Sequence, residues 1–306
     1  MARHDTSLTA TVGTILALRN LMKINGRATL PLVLTMFACS PGAESVCALP
    51  DAVEALPAEL REASGAAMAS DGTLWLIADS GEPILFAIDD ANRISARVRI
   101  DNARVDDWED LAVGPCAGGE CLYVGAIGDN LHSRPQREIL RVATPAHIDA
   151  HVQVEHFPFR FPDGPADAES LAALPDGSLL VITKGRNGPV GVFRYPAPLR
   201  HDTVVTLQHV QDLTPGLLQV PQQPTGAVAV GAGTILLRSY TTLQPYTIEA
   251  DTLAMAGPPV DLTALDESQG EGVAATATGR IVLVGEGPGG GTVARFECVE
   301  LVEHHR

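Results

Sequence analysis

Three glutamates carry most of the chemistry that the sequence offers. Glu109, Glu169 and Glu271 each head a short run of small apolar residues: EDLAVG (109–114), ESLAAL (169–174) and EGVAAT (271–276). Two further runs, SGAAMA (64–69) and TGAVAV (225–230), have the same form with Ser64 or Thr225 at the head. Asp107 and Asp167 lie two residues before Glu109 and Glu169, so an extended strand puts each pair on one face. The apolar runs that follow end on Asp79, Asp129, Lys184, Arg238–Ser239–Tyr240 and Glu286. If these positions meet around one mouth, several carboxylates repel one another. A cation, a basic side chain or raised pKa values must then neutralise them. Oxygen donors suit Ca²⁺, Mg²⁺ or Mn²⁺. The expected divalent-cation ligands are Glu109, Glu169, Glu271 and Asp129, with Lys184 and Arg238 stabilising anionic charge on a substrate. The competing reading is that each acid caps a turn or accepts backbone N–H groups at a strand start.

Other constellations offer less. The nine histidines form no HxH or HExxH pair, and His304 and His305 sit in a charged tail. The run GEGPGGG (285–291) precedes a strand pattern rather than a helix, so it reads as a hairpin loop and not a phosphate cradle. There is no GxSxG elbow. Trp75 and Trp108 read as core or channel-rim aromatics.

The elements that must position these residues are strands. After residue 63 the chain shows short apolar runs broken by Gly, Pro, Asp and Asn: TLWLIA (73–78), LYVGAI (122–127), SLLVIT (178–183), TILL (234–237) and RIVLV (280–284). Each follows one of the five small-residue runs across a Gly-containing turn, and the heads of those runs are 45, 60, 56 and 46 residues apart. A period near 50 with three or four strands per unit predicts an all-β propeller of about five blades, with a sixth, degenerate blade as the variant. A sandwich would not repeat one lead-in five times, and a β-helix would have a shorter period. The segment 47–62 is expected to pair with the last strand, 293–302, and so close the ring without leaving two bare edges.

The formal net charge of −16 excludes a nucleic-acid partner, because phosphate binding needs a basic surface. Residues 1–38 read as an export signal, with Met22 as a second possible start, Lys23 and Arg27 as the basic region, and Ala28–Ala38 as the apolar region. Cys39 follows in the place of a lipidated cysteine, with 39–46 as linker and 47–306 as the propeller. Plain cleavage near Ala38 or Ala43 is the alternative. The apolar run is short of the ~20 residues a spanning helix needs, so membrane contact is expected only through the lipid. Residues 1–38 hold four of the 21 basic and one of the 37 acidic residues, so the processed chain carries −19 and a single lysine, Lys184.

Four cysteines remain beside Cys39, which leaves three pairings. Cys116 and Cys121 flank a turn and can bridge locally. Cys47 and Cys298 lie near the two ends of the processed chain, where a bridge would close a long loop.

Several longer segments resemble a family of exported bacterial propellers of mostly unassigned function. They are EASGAAMASDGTLWLIAD (62–79), DWEDLAVG (107–114), LYVGAIGDN (122–130), DAESL (167–171), VITK (181–184), GVFRYPAPL (191–199), TGA (225–227) and QGEGV (269–273). The segments are also similar, more distantly, to the propeller group named for esterase-like activity of phytase, to Ca²⁺-dependent phytases and to lactonase-type propellers. Ala126 and Val228 stand where that family more often has Asp, which thins the acid set a metal would use. Two functions follow as expectations. One is an envelope binding module for an unknown small molecule or envelope protein. The other is a metal-dependent hydrolase of phosphoesters, esters or lactones with its site in the channel mouth.

Overall fold

Strand sequences in this chain are of two kinds, and each kind fixes its place. Runs such as Leu74–Ala78 and Leu179–Thr183 are buried at every residue, as a strand covered on both faces must be. Ile94–Asp101 instead alternates, burying Ala96, Val98 and Ile100 and turning Ser95, Arg97 and Arg99 outward. Fully apolar strands lie inside a stack of sheets, and alternating strands lie at its rim.

A computed structural model describes residues 47–146, 150–249 and 251–301. The export signal, Cys39, the 39–46 linker and the histidines at 304 and 305 lie outside the described residues. The described chain forms five sheets, the blades of a propeller, antiparallel apart from one short outer strand in each of two blades. Blade 1 runs through Ala63–Met68, Leu74–Ala78, Ile84–Ile88 and Ile94–Asp101. Blade 2 runs through Trp108–Cys116, Gly119–Ala126, Arg137–Ala143 and Glu155–Arg160. Blade 3 uses Ala168–Ala173, Leu179–Thr183, Gly191–Tyr195 and Gln208–Asp212. Blade 4 uses Pro224–Val230, Thr234–Ser239, Thr242–Glu249 and Thr252–Met255. Blade 5 is built from Gln269–Ala275, Arg280–Glu286 and Thr292–Glu297, and borrows its fourth strand, Glu54–Ala55, from the other end of the chain.

That borrowed strand is the expected closure. Glu54 pairs with Val293 and Ala55 with Thr292. The Cys47–Cys298 disulfide bonds the same two chain ends together, and Cys116–Cys121 bridges the first hairpin of blade 2. Both expected bridges are therefore present. The outer rims of blades 1 and 2 each gain a short parallel strand, His151–Gln153 and Val205–Thr206, contributed by the connection between the third and fourth strands of the next blade.

Five apolar cores fill the seams between neighbouring blades. Trp75 and Trp108 both lie fully buried in the seam of blades 1 and 2, so they are core residues. Trp108 donates its indole N–H to the Arg104 carbonyl at 3.1 Å.

Candidate active site in the channel mouth

The five small-residue runs are the five innermost strands, and each carries a β-bulge at the same place. Pairing with the second strand jumps between Ala63 and Ala66, Trp108 and Asp110, Ala168 and Ser170, Pro224 and Gly226, and Gly270 and Val273. The residues skipped include the heads of the runs, Ser64, Glu109, Glu169, Thr225 and Glu271, and in blades 1 and 5 also the glycine that follows, Gly65 or Gly272. A bulge frees a residue from the ladder and re-aims its side chain. Here it aims glutamates from blades 2, 3 and 5 into the channel mouth.

The position after each head packs on the axis. At Gly65 a Cβ would collide with the backbone of Asp110 and Leu111, so only glycine lets the inner strands of blades 1 and 2 come together. In blade 2 that position is Asp110, which is completely buried. Its carboxylate accepts three backbone N–H groups, from Leu111 at 2.8 Å, Leu171 at 2.8 Å and Ala227 at 2.9 Å. Burial pushes the Asp110 carboxyl up, and the amides of Leu171, Ala227 and Leu111 pull it back. Asp110 thus ties blades 2, 3 and 4 together on the axis beneath the glutamates.

Above it, Lys184 takes the central place among the glutamates. Its Nζ donates to Glu169 Oε1 at 2.6 Å, and both side chains are buried. Glu169 also accepts a hydrogen bond from Glu109. Burial, then repulsion from Glu169 and Asp107, raises Glu109 well above the usual carboxylate range. A tight fit fixes it, since a Cβ at Gly128 would overlap its Oε1. Glu169 itself is pushed up to about 7 by burial, against the pull of Lys184. Glu271 accepts from Gln269 Nε2 at 2.7 Å and is pushed up to about 8, first by burial and then by Glu169. Burial alone would lower Lys184, but Glu169, Tyr240 and Glu271 outweigh it and keep the ammonium charged. Tyr240 has Lys184 Nζ 6.0 Å from its ring centre and is pushed up to about 12 by burial and Glu271, so its hydroxyl keeps its proton.

Toward solvent stands a second group of acids. Burial followed by Glu62 and Asp107 raises Asp79 to about 6. Burial followed by Asp79 and Glu62 raises Glu286 to about 7. Asp79, Asp107, Glu109, Tyr240 and Glu286 are all half-buried, so a solute can reach them.

Of the expected site residues, the structure brings together Glu109, Glu169, Glu271 and Lys184. It does not bring Asp129 or Arg238 to them as partners. Asp129 spends Oδ1 on the Ser133 amide at 3.0 Å and Oδ2 on the Arg134 amide at 2.9 Å, and so shapes the loop after the second strand of blade 2. Arg238 is fully buried between blades 4 and 5, donating to the carbonyls of Gly272 (2.6 Å) and Val284 (2.7 Å) and pairing with Glu267. Among the described residues no group of three or more His, Cys, Asp or Glu side chains is set to hold a metal ion. Within the expected ligand set, Lys184 Nζ bonds Glu169, and both Asp129 oxygens accept backbone amides.

Three residues of the mouth escaped the sequence reading as site residues: Glu62, Gln269 and Asp110. Glu62 and Gln269 had a signal, since both lie two residues before a strand head, as Asp107 and Asp167 do. Asp110 had none, because it follows Glu109 directly and nothing local separates their roles.

No protein-family model matches the chain, and no curated protein matches it. Among solved structures, it is similar to the PQQ-bound aldose sugar dehydrogenase of Streptomyces coelicolor, at 11% identity over 83% of this chain and 99% of that one, with a TM-score of 0.50. A luciferin-regenerating enzyme matches at 12% identity over 83% of this chain and 96% of that one, TM-score 0.48. A glucose dehydrogenase matches at 10% identity over 79% and 98%, TM-score 0.46. At such identities the likeness is one of propeller fold.

Proposed function

We propose that the protein is a hydrolase of the bacterial envelope that cleaves an ester or lactone in the channel mouth. The observation that carries this reading is the buried Glu109–Glu169–Lys184 chain with Glu271 beside it. It sets an acid raised well above the carboxylate range, a charged lysine and a second acid raised to about 8 just beneath the half-buried Glu109 and Tyr240. General acid–base catalysis needs groups whose pKa lies near the working pH.

The roles follow from the protonation states. Glu271, raised to about 8, holds its proton at neutral pH and becomes the base as pH rises toward that value, when it takes a proton from water as the water oxygen bonds to the carbonyl carbon. The charged Lys184 and the protonated Tyr240 hydroxyl stabilise the oxyanion. Glu109 gives its proton to the departing alkoxide as the carbon–oxygen bond breaks. The proton on Glu271 then returns to Glu109 by way of Glu169, which neighbours both. A bound divalent cation would add Lewis-acid polarisation, but the donors at the mouth are not arranged for it, so no step here depends on one.

The two disulfides accord with an oxidising compartment. The motif resemblance to esterase-like propellers supports the reaction class. Lipidation at Cys39 is part of the same proposal and is checked by the mass of the membrane-extracted protein.

The test is a screen of esters, lactones and phosphoesters with residues 39–306, with and without Ca²⁺ or Mn²⁺. We expect turnover without added metal, lost in Lys184→Met and Glu271→Gln. If no substrate is turned over under any condition, the hydrolase reading fails and a non-catalytic module for an envelope ligand stands. Turnover that requires the metal would instead place the cation, and not Lys184, at the centre.

A further inference from the structure

Next to the mouth lies a recess of about 340 Å³ that the reaction above does not use. The two are adjacent: the Lys184 amide donates to the Asp167 carbonyl at 2.9 Å, and Asp167 lines the recess. Its floor is the half-buried ring of Phe193, held edge-on by Phe161 at 4.9 Å between ring centres and flanked by His209 at 5.1 Å.

The walls carry charge of both signs, but most of it is paired. Asp212 receives His209 Nε2 at 2.9 Å. Asp167 faces the Arg186 guanidinium at 3.7 Å, and its other oxygen accepts the Asp129 amide at 2.8 Å. Two polar contacts cross the rim of the recess, Arg186 to Asn130 and Asn187 to His132. Asp167 is 3% exposed, and its Oδ2 has no hydrogen bond. A buried carboxylate oxygen left in that state is a strong acceptor for a hydroxyl donor.

These features discriminate among ligands. An anion would meet Asp163, Asp167 and Asp212. A cation would meet Arg186 and would compete with salt bridges already formed. What remains is a flat apolar face ringed by donors (Arg186, Asn187) and acceptors (Asp163, Asp167), which suits a neutral group with hydroxyls around a nonpolar ring face.

We propose that this recess binds a sugar ring or a similar neutral polyol, stacked on Phe193 and hydrogen-bonded to Asp167 and Arg186. This deepens the hydrolase reading by naming the substrate class as an ester or lactone of a polyol, and it rests on that reading only for the link to turnover.

The experiment is saturation-transfer NMR and calorimetry on residues 39–306. The probes are the methyl glycosides of glucose, galactose and N-acetylglucosamine, with inorganic phosphate and cadaverine as charged controls. We expect at least one glycoside to bind, with its ring protons receiving the transfer. Phe193→Ala and Asn187→Ala should each weaken it, Phe193→Ala by about tenfold or more. Asn187 is exposed, so its variant folds even if loss of Phe193 disturbs blade 3. Binding must survive in Glu271→Gln, which removes only the proposed base. Failure of every glycoside, or a preference for phosphate or cadaverine, overturns the inference. Ester turnover with no glycoside binding would overturn it while leaving the hydrolase intact. Glycoside binding without turnover would do the reverse.

Discussion

Glu109 and Asp110 are neighbours in the chain and opposites in the molecule. Glu109 sits on the bulge, faces other carboxyl groups and is pushed well above the usual carboxylate range by burial and their repulsion. Asp110 sits one residue on, deeper in the channel, and is wrapped by three backbone amides from three blades. Burial acts upward on both. What differs is the supply of donors: one strand position points at side chains of like charge, and the next points at N–H groups. A buried carboxyl is therefore chemistry or scaffold according to what its oxygens meet, and residue type does not settle it.

Four experiments break or sharpen this contrast. The largest effect belongs to Asp110. Asp110→Ala strands three buried amides, and we expect a loss of about 4 kcal/mol in urea unfolding. Asp110→Asn, which keeps one acceptor oxygen, should lose less. An unchanged midpoint in both would dissolve the scaffold role.

Lys184 comes next. Lys184→Met leaves Glu169 buried without its counter-ion, which costs about 3 kcal/mol when a buried pair is broken from one side. Adding Glu169→Gln should recover most of that stability while turnover stays lost. A double variant no more stable than the single would show that the pair does not act as a unit.

Third is pH. Asp79, Glu169, Glu286 and Glu271 have folded-state values near 6, 7, 7 and 8, all above the ordinary carboxylate range. The folded protein therefore binds more protons than the unfolded chain across that interval. Their contribution to stability is fully present below the ordinary carboxylate range and is lost as pH rises toward about 8. Melting temperature should fall over that span in the wild type and fall less in a Glu271→Gln, Glu286→Gln variant. A curve that rises with pH would reverse the assignment.

The smallest effect is at Glu109 itself. Gln resembles the protonated acid, so Glu109→Gln should change stability by less than about 0.5 kcal/mol while abolishing proton donation. A large destabilisation would mean that Glu109, too, is scaffold.

Much of this was legible from residues alone. The five repeated lead-ins announced the blades, because each blade needs small residues where inner strands crowd the axis. The cysteine positions suggested both disulfides. The lone lysine among three strand-head glutamates pointed to the mouth. Arg238 looked equivalent to Lys184 by position, yet it turns into the seam and binds carbonyls of blade 5. Asp129 looked like a ligand, yet its own loop amides claim it. Those outcomes depend on which backbone groups lie opposite, and strand periodicity carries no information about that.

The sequence by itself determined the repeat, the closure of the ring by its two ends and the acidic character of the mouth, since these follow from local pattern and composition. Tertiary structure alone decided that Lys184 would pair with Glu169 among the glutamates, that Asp110 would fasten the axis, and that a recess with charge of both signs would open beside them. Each of these requires groups tens of residues apart to meet in a buried, low-dielectric place, where an ångström decides whether a charge finds a partner.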